Sequence, residues 1–293
     1  MKKISIGGLI FDILNTALMI VICVVMLYPF LYIINFSLSD PALVRSGGLL
    51  LWPRGITLTA YKASLMHPDI INGFFISVAR STLGPFLMVV VTSMAAYALA
   101  RDDLAGRKFF NKFFIFTMYF SGGMIPVYLV MKGLNLTGSF WVYVIPGMFG
   151  AFNFVLVRTY IENIPSSLEE AALIDGANYV TAFFRVVLPV CIPVLAAIVL
   201  FSCVGHWNAF TDTRLYNSMH RNLFTMQYVL YNYLASTQTF SVEQALALGS
   251  AVELSPEAIR MAITIITIVP VMCVYPMLQK HFASGLLIGS VKG

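Results

Sequence analysis

Long runs of apolar residues set the strongest constraint on this chain. A helix needs about 20 mainly apolar residues to cross the hydrocarbon core of a bilayer. Six segments approach or exceed that length: 9–36, 74–100, 109–131, 139–160, 190–206 and 258–279. The fifth is short and contains Pro193, which neighbouring helices can accommodate at depth. Composition agrees, with 59% of the 293 residues hydrophobic and only 11% charged, against roughly 25% charged in soluble domains. The spacing therefore predicts an all-α integral membrane protein of six transmembrane helices, a single transmembrane domain over 1–293.

The placement of charge predicts orientation. With the N-terminus inside, the inner pieces hold Lys2, Lys3, Arg101, Arg107, Lys108, Lys112, Arg158, Arg185, Lys280 and Lys292, more than half of the 18 Lys and Arg. Basic residues favour the cytoplasmic side of short loops, and Arg101, Arg107 and Lys108 share one such loop. Both termini are then expected in the cytoplasm. Lys2 and Lys3 precede the first run like a signal peptide, but its apolar stretch is too long for one and no small-x-small cleavage site follows before Asn35. It is read as a retained span.

Several function classes lose support. The apolar cores of the last four runs carry no Asp, Glu, Lys or Arg, whereas ion-coupled transporters keep such groups at midplane as relays. Asp12, Arg80 and Lys112 are expected near span ends, reaching the interface. The chain has no G-x-x-x-x-G-K-[ST] phosphate loop, no G-x-S-x-G and no H-E-x-x-H. Cys23, Cys191, Cys203 and Cys273 form no C-x-x-C pair, the four histidines are isolated, and no metal site is expected. A net charge of +5 without a dense basic run suits anionic lipid rather than nucleic acid. Transport driven by this chain would draw its energy from a partner.

The loop 161–189 is the most informative stretch. Ser166 and Ser167 each precede a glutamate by three residues, Glu169 and Glu170, giving two overlapping capping-box registers. Asp175-Gly176 is expected to end that helix, glycine supplying positive φ. A second helix is expected over about 178–187, stopping before Pro189. A DNA-binding helix-turn-helix is disfavoured because Arg185 is the unit's one basic residue. Farther on, Ser255-Pro256-Glu257 predicts the start of the last span.

This loop resembles the "EAA" loop of ABC importer permeases, Glu-Ala-Ala-x3-Gly-x9-Ile-x-Leu-Pro. Here it reads Glu170-Ala171-Ala172, Gly176, Val186, Leu188 and Pro189, with Val in place of Ile. The likeness extends over nearly the whole chain to MalG-type carbohydrate permeases, most of all their LplC/YtcP branch. It is carried by Phe120–Pro126, Gly205–Asn208, Ser255–Glu257 and Gly285–Gly293.

The resemblance implies a type I ABC importer permease (MetI/MalG-like) fold in a bacterial cytoplasmic (inner) membrane, with no catalytic residue. It implies a second homologous permease, two ATP-binding-cassette subunits that bind ATP and Mg, an extracytoplasmic solute-binding protein and an oligosaccharide substrate, acidic ones such as alginate- or pectin-derived included. Glu169, Glu170, Ala171, Ala172, Asp175, Gly176, Leu188 and Pro189 would dock the ATPase, and Gly289, Ser290, Lys292 and Gly293 of the tail would reach it. From the residues themselves, Gly122 and Gly123 are candidates for lining a translocation path or equally for a packing kink, and Asn153, Trp207 and Asn208 are candidates for the path, though such groups more often serve helix packing and interfacial anchoring. A permease for another solute, a secondary transporter and a membrane-embedded enzyme remain the rival readings.

Overall fold

The computed structural model describes residues 6–44, 48–235 and 255–289. Its long elements are α1 (Ile6–Ser37), α2 (Pro68–Ala100), α3 (Arg107–Tyr119), α4 (Met124–Gly133), α5 (Ala151–Glu162), α6 (Ser166–Ile174), α7 (Ile192–Asn208) and α8 (Pro256–Gly289). Among the described residues the one β pairing is an isolated bridge, Ser39 with Ile56. Contacts divide the chain into two units, 1–67 with 233–268, and 68–232 with 269–293.

The first unit contains α1, an unbroken apolar helix of 32 residues. Its length, about 48 Å at 1.5 Å per residue, exceeds the bilayer core. Among the described residues nothing buries its most apolar stretch. The far end of α1 is stitched down by hydrogen bonds. Asn35 donates to the Leu50 carbonyl at 3.0 Å, Ser39 donates to the Asn35 carbonyl at 2.6 Å, and Ser37 and Tyr61 share a bond of 2.7 Å. Ala60 packs against Ala258 and Ala262 at the start of α8, small residues that let helix backbones approach closely. That helix begins at Pro256 as the sequence predicts, with the Ser255 hydroxyl donating to Glu257.

The second unit is organised on α2. Its buried positions include Ile70, Gly73, Ser77, Arg80, Gly84, Met88, Thr92, Ala96 and Leu99. These recur every three or four residues, which is the seam of a left-handed helix pair. The lower half of the seam meets α5 and the start of α7 in one apolar cluster, with Phe154, Val157, Phe183, Leu195 and Ile198 among its members. Small residues serve the upper half. A Cβ on Gly73 would lie 3.2 Å from Val229, and one on Gly84 would lie 2.5 Å from the His206 ring.

Three of the six expected spans are not continuous helices. α1, α2 and Pro256–Val274 are each long and apolar enough to cross a membrane, and the count reaches six only if three bent pairs are each one span. The expected span 109–131 is α3 plus α4, bent by 120°. Gly123 sits at the break with φ 84° and ψ 173°, a region of backbone space open essentially to glycine alone. The span 139–160 divides into a 3₁₀ stretch, Phe140–Gly147, and α5, bent by 44° around Pro146 and extended Gly150. The span 190–206 is preceded by helical residues from Tyr179, and the two parts bend by 78°. Apolar length alone detects the crossing. It does not register the Gly and Pro positions that interrupt it.

Arg80 corrects another expectation. Instead of reaching the interface it is 2% exposed, and it pairs with Asp212. α2 begins at Pro68, six residues before the expected 74, which puts Arg80 about 18 Å into the helix. The guanidinium also donates to the Ala209 carbonyl at 3.2 Å and lies 4.6 Å over the Tyr143 ring. Removing one partner of a buried pair leaves the other charge uncompensated. Asp212→Ala is therefore expected to destabilise the purified subunit by about 3 kcal/mol, read from its denaturant unfolding midpoint. The double variant Arg80→Met/Asp212→Leu should recover most of that loss. A double variant no more stable than Asp212→Ala would contradict the assignment.

Candidate functional site: the loop between α5 and α7

The loop is a chain of short helical pieces whose ends follow from local sequence. α6 stops at a Schellman turn. Ala177 N–H donates to the Ala172 carbonyl at 3.0 Å and Gly176 N–H to the Leu173 carbonyl at 3.1 Å. Gly176 has φ 86°, the left-handed value such turns require and glycine supplies without cost. Asn178 then caps the next turn, its side chain accepting from Thr181 N–H at 2.8 Å.

The second helix does not stop before Pro189. Tyr179–Ala182 passes into a π-turn, Phe183–Val187, and then into Leu188–Val190. Proline cannot donate to the preceding turn, and its ring collides with the carbonyl four residues back. The wider turn, with Leu188 N–H donating to the Phe183 carbonyl, carries the chain past that collision without ending the helix.

The start of α6 also departs from expectation. Its N-cap is Pro165, which makes no side-chain cap, and neither serine register forms a capping box. Glu169 is used elsewhere. It accepts from the Tyr97 hydroxyl at 2.8 Å and pairs with the Arg101 guanidinium. A charge-assisted bond to guanidinium is stronger than one to a neutral backbone N–H, so the carboxylate turns toward α2.

Arg101 is the hub of this base. It bonds Asp103 through two nitrogens, at 2.9 and 2.8 Å. Its guanidinium carbon lies 3.8 Å above the Tyr179 ring, within cation–π range. It thereby joins the end of α2 to both helical pieces of the loop. The Asp103 bonds hold the guanidinium protonated far above neutrality, and Arg101 in turn keeps the Asp103 carboxyl below the usual carboxylate range. A carboxyl lowered on folding contributes stability that is present above its unfolded pKa and is lost as pH falls through the folded one. The Arg101–Asp103 pair therefore stays charged from about pH 5 to pH 9.

Arg107 adds a second brace, donating to the Leu99 carbonyl at 3.0 Å and to Glu162 at 2.8 Å. An open cleft of about 650 Å³ lies beside these braces, with Arg101, Arg107, Glu162, Glu169 and Glu170 on its walls.

The outer face of the loop is unsatisfied. Ile174 is 85% exposed and Val180 63%, and Leu168 and Phe184 are also exposed. Glu170, Ala171, Asp175 and Gly176 are exposed beside them. Glu170 makes no ion pair or hydrogen bond with any described residue. An apolar patch flanked by a free carboxylate, on a loop braced from behind, is a docking surface in form.

The family described as "binding-protein-dependent transport system inner membrane component" matches residues 105–288. The chain belongs to this family. The permease is 35% identical to the polygalacturonan/rhamnogalacturonan transport system permease protein YtcP of Bacillus subtilis (strain 168), over 97% of this chain and 99% of that one. It is 34% identical to Protein LplC of the same organism, over 98% and 96%. It also matches a chain in the crystal structure of a bacterial ABC transporter involved in the import of the acidic polysaccharide alginate. The TM-score is 0.89 at 31% identity, covering 96% of this chain and 100% of that one. The permease is thus a multi-helix inner-membrane transport component that works with other subunits, and it is not an enzyme.

The remaining candidates fall in separate places. Leu188 is half-buried against the α2–α5 core and Pro189 is exposed. Gly122 and Gly123 form the α3–α4 break. The Asn153 amide faces the Met88 sulfur at 3.6 Å. Trp207 is 6% exposed, its ring edge-on to Phe74 at 5.9 Å, and exposed Asn208 ends α7. In the tail, Gly289 is the last described residue, and Ser290, Lys292 and Gly293 lie outside the described residues.

Tyr97, Arg101 and Arg107 were not singled out from sequence as braces of the loop. The available signal was Tyr97 and Arg101 four residues apart at the end of α2, ahead of two aspartates. Hydrogen bonds to charged groups contribute about 1.5–3 kcal/mol. Glu169→Gln should therefore speed amide exchange across 166–182 by roughly ten- to a hundredfold, with Glu170→Gln leaving it unchanged. Equal exchange in the two variants would contradict the division of roles.

Proposed function

We propose that this permease is one of two homologous membrane subunits of an ATP-driven ABC importer for oligosaccharides, acidic ones derived from uronate polymers in particular. Two ATP-binding-cassette subunits bind ATP and Mg and dock against the loop 166–176. An extracytoplasmic solute-binding protein delivers the saccharide. Both termini, the loop and the α2–α3 connection face the cytoplasm, and the C-terminal tail reaches the ATPase. The subunit performs no chemistry. ATPase closure moves the loop, and the loop moves the helices that line the path.

The observation that carries this reading is the division of labour in α6. Glu169 points back to Arg101, and Glu170, Ile174 and Gly176 are left outward on a turn that only the chain's own hydrogen bonds define. The brace makes the loop a lever attached to α2, and the free face gives a partner something to grip. The substrate class rests on two relatives, one named for polygalacturonan/rhamnogalacturonan and one for the acidic polysaccharide alginate.

Reconstitution tests it. Vesicles holding the permease, its partner permease and the ATPases should take up oligogalacturonate when ATP and binding protein are supplied, and should ignore a protonophore. Uptake that persists without the ATPases and collapses with the proton gradient would overturn the ABC reading. Gly176 has an exposed face where an added Cβ meets nothing within 4 Å. Gly176→Asp should leave the subunit inserted while abolishing uptake, because φ 86° strains any residue with a Cβ in that turn and the new carboxylate sits in the docking face. Normal ATP-coupled uptake by that variant would remove the docking assignment.

A further inference from the structure

A second cleft, of about 490 Å³, lies in the 68–232 unit around the Arg80–Asp212 pair. Its volume falls in the range of small-molecule sites, about 300–1,000 Å³. Its walls combine hydrogen-bonding groups with one broad aromatic face, and nothing in the loop mechanism uses them.

Arg80 spends its terminal nitrogens on Asp212 and the Ala209 carbonyl, yet its Nε is buried without a partner. A buried donor left unmade costs free energy, and Arg80 is among the residues that line the cleft. Asp212 keeps 23% of its side chain exposed there. His206 faces the same space. Its ring fits because α2 carries Gly84, where an added Cβ would stand 2.5 Å from the imidazole, and Gly147 of the 3₁₀ stretch lies beside it. The imidazole forms no hydrogen bond with a described residue. Ser202 lies one turn before His206 on α7 and also lines the cleft. Tyr216, stacked on Tyr128 with centroids 5.7 Å apart and planes 6° apart, supplies the flat wall.

These groups fit hydroxyls better than a carboxylate. Arg80 and Asp212 cancel in charge, and an entering carboxylate would meet the Asp212 oxygens. A hydroxyl both donates and accepts, so it can donate to Asp212 or His206 while accepting from Arg80 Nε. A pyranose ring adds an apolar face for the tyrosine wall. We propose that the cleft is a subsite for the hydroxyl groups of one sugar residue in transit, read by Arg80–Asp212, His206 and Ser202. This rests on the saccharide-import reading above and adds that selection in this subunit is by hydroxyl pattern, not by charge.

The test uses the assembled transporter in lipid nanodiscs, with Cys23, Cys191, Cys203 and Cys273 changed to Ala and Ser202→Cys introduced. The probe is the modification rate of that thiol by a small methanethiosulfonate reagent. Saturating oligogalacturonate should slow modification about tenfold, as occupancy of about nine sites in ten requires. The carboxyl-reduced oligosaccharide should protect equally. In parallel, His206→Leu should raise the KM of uptake about tenfold. A purely structural role would instead lower the maximal rate with the amount of assembled complex and leave KM alone.

If the unaltered transporter takes up the saccharide but the thiol reacts at the same rate with and without it, the subsite is refuted and the transport reading stands. Protection by the acidic form alone refutes selection by hydroxyls. If the unaltered transporter takes up no saccharide, the transport reading fails and this inference fails with it.

Discussion

Arg101 ties the loop between α5 and α7 to the end of α2. Its guanidinium sits at the end of α2, bonded to Asp103, paired with Glu169 of α6 and stacked on Tyr179 of the next helical piece. Loops are ordinarily the mobile parts of a protein. This one is tied to the longest helix of its unit by charge-assisted bonds at partly buried positions, where solvent screens them less. The consequence is mechanical. A force applied to the exposed face at Glu170 and Ile174 is delivered to α2, and through its seam of small and apolar residues to α5 and α7.

The interrupted spans fit the same logic. A membrane helix can break only where protein or a water-lined cavity receives the freed backbone groups. The breaks at Gly123, around Gly147–Gly150 and at Pro189–Pro193 divide the second unit into short pieces around two continuous features, α2 and α7. α1, by contrast, is unbroken, and nothing among the described residues buries its most apolar stretch.

Much of this was legible in the sequence, and the reasons differ by feature. The crossings could be read because lipid enforces about 20 apolar residues wherever a helix spans it. The Gly176 turn could be read because left-handed backbone has few tenants. The path of Glu169 was not legible, because two registers of serine and glutamate looked alike and a distant arginine decided between them. Arg80 was misplaced for a related reason: its partner Asp212 lies 132 residues away, and no local pattern announces it. The π-turn before Pro189 was missed because a proline in a helical pattern reads as a stop, whereas one wider turn lets the helix continue. In each case the local rule held and a tertiary contact or backbone adjustment outranked it.

The braces at Arg101 should make the loop and α2 move as one body. Spin labels at Ile174 and at exposed Met94 on α2, placed in the assembled transporter, measure it directly. One narrow distance distribution is expected, the same in nucleotide-free and ATP-bound states. A change larger than one helical turn, about 5.4 Å, between those states would show that the loop slides on α2, and would contradict it.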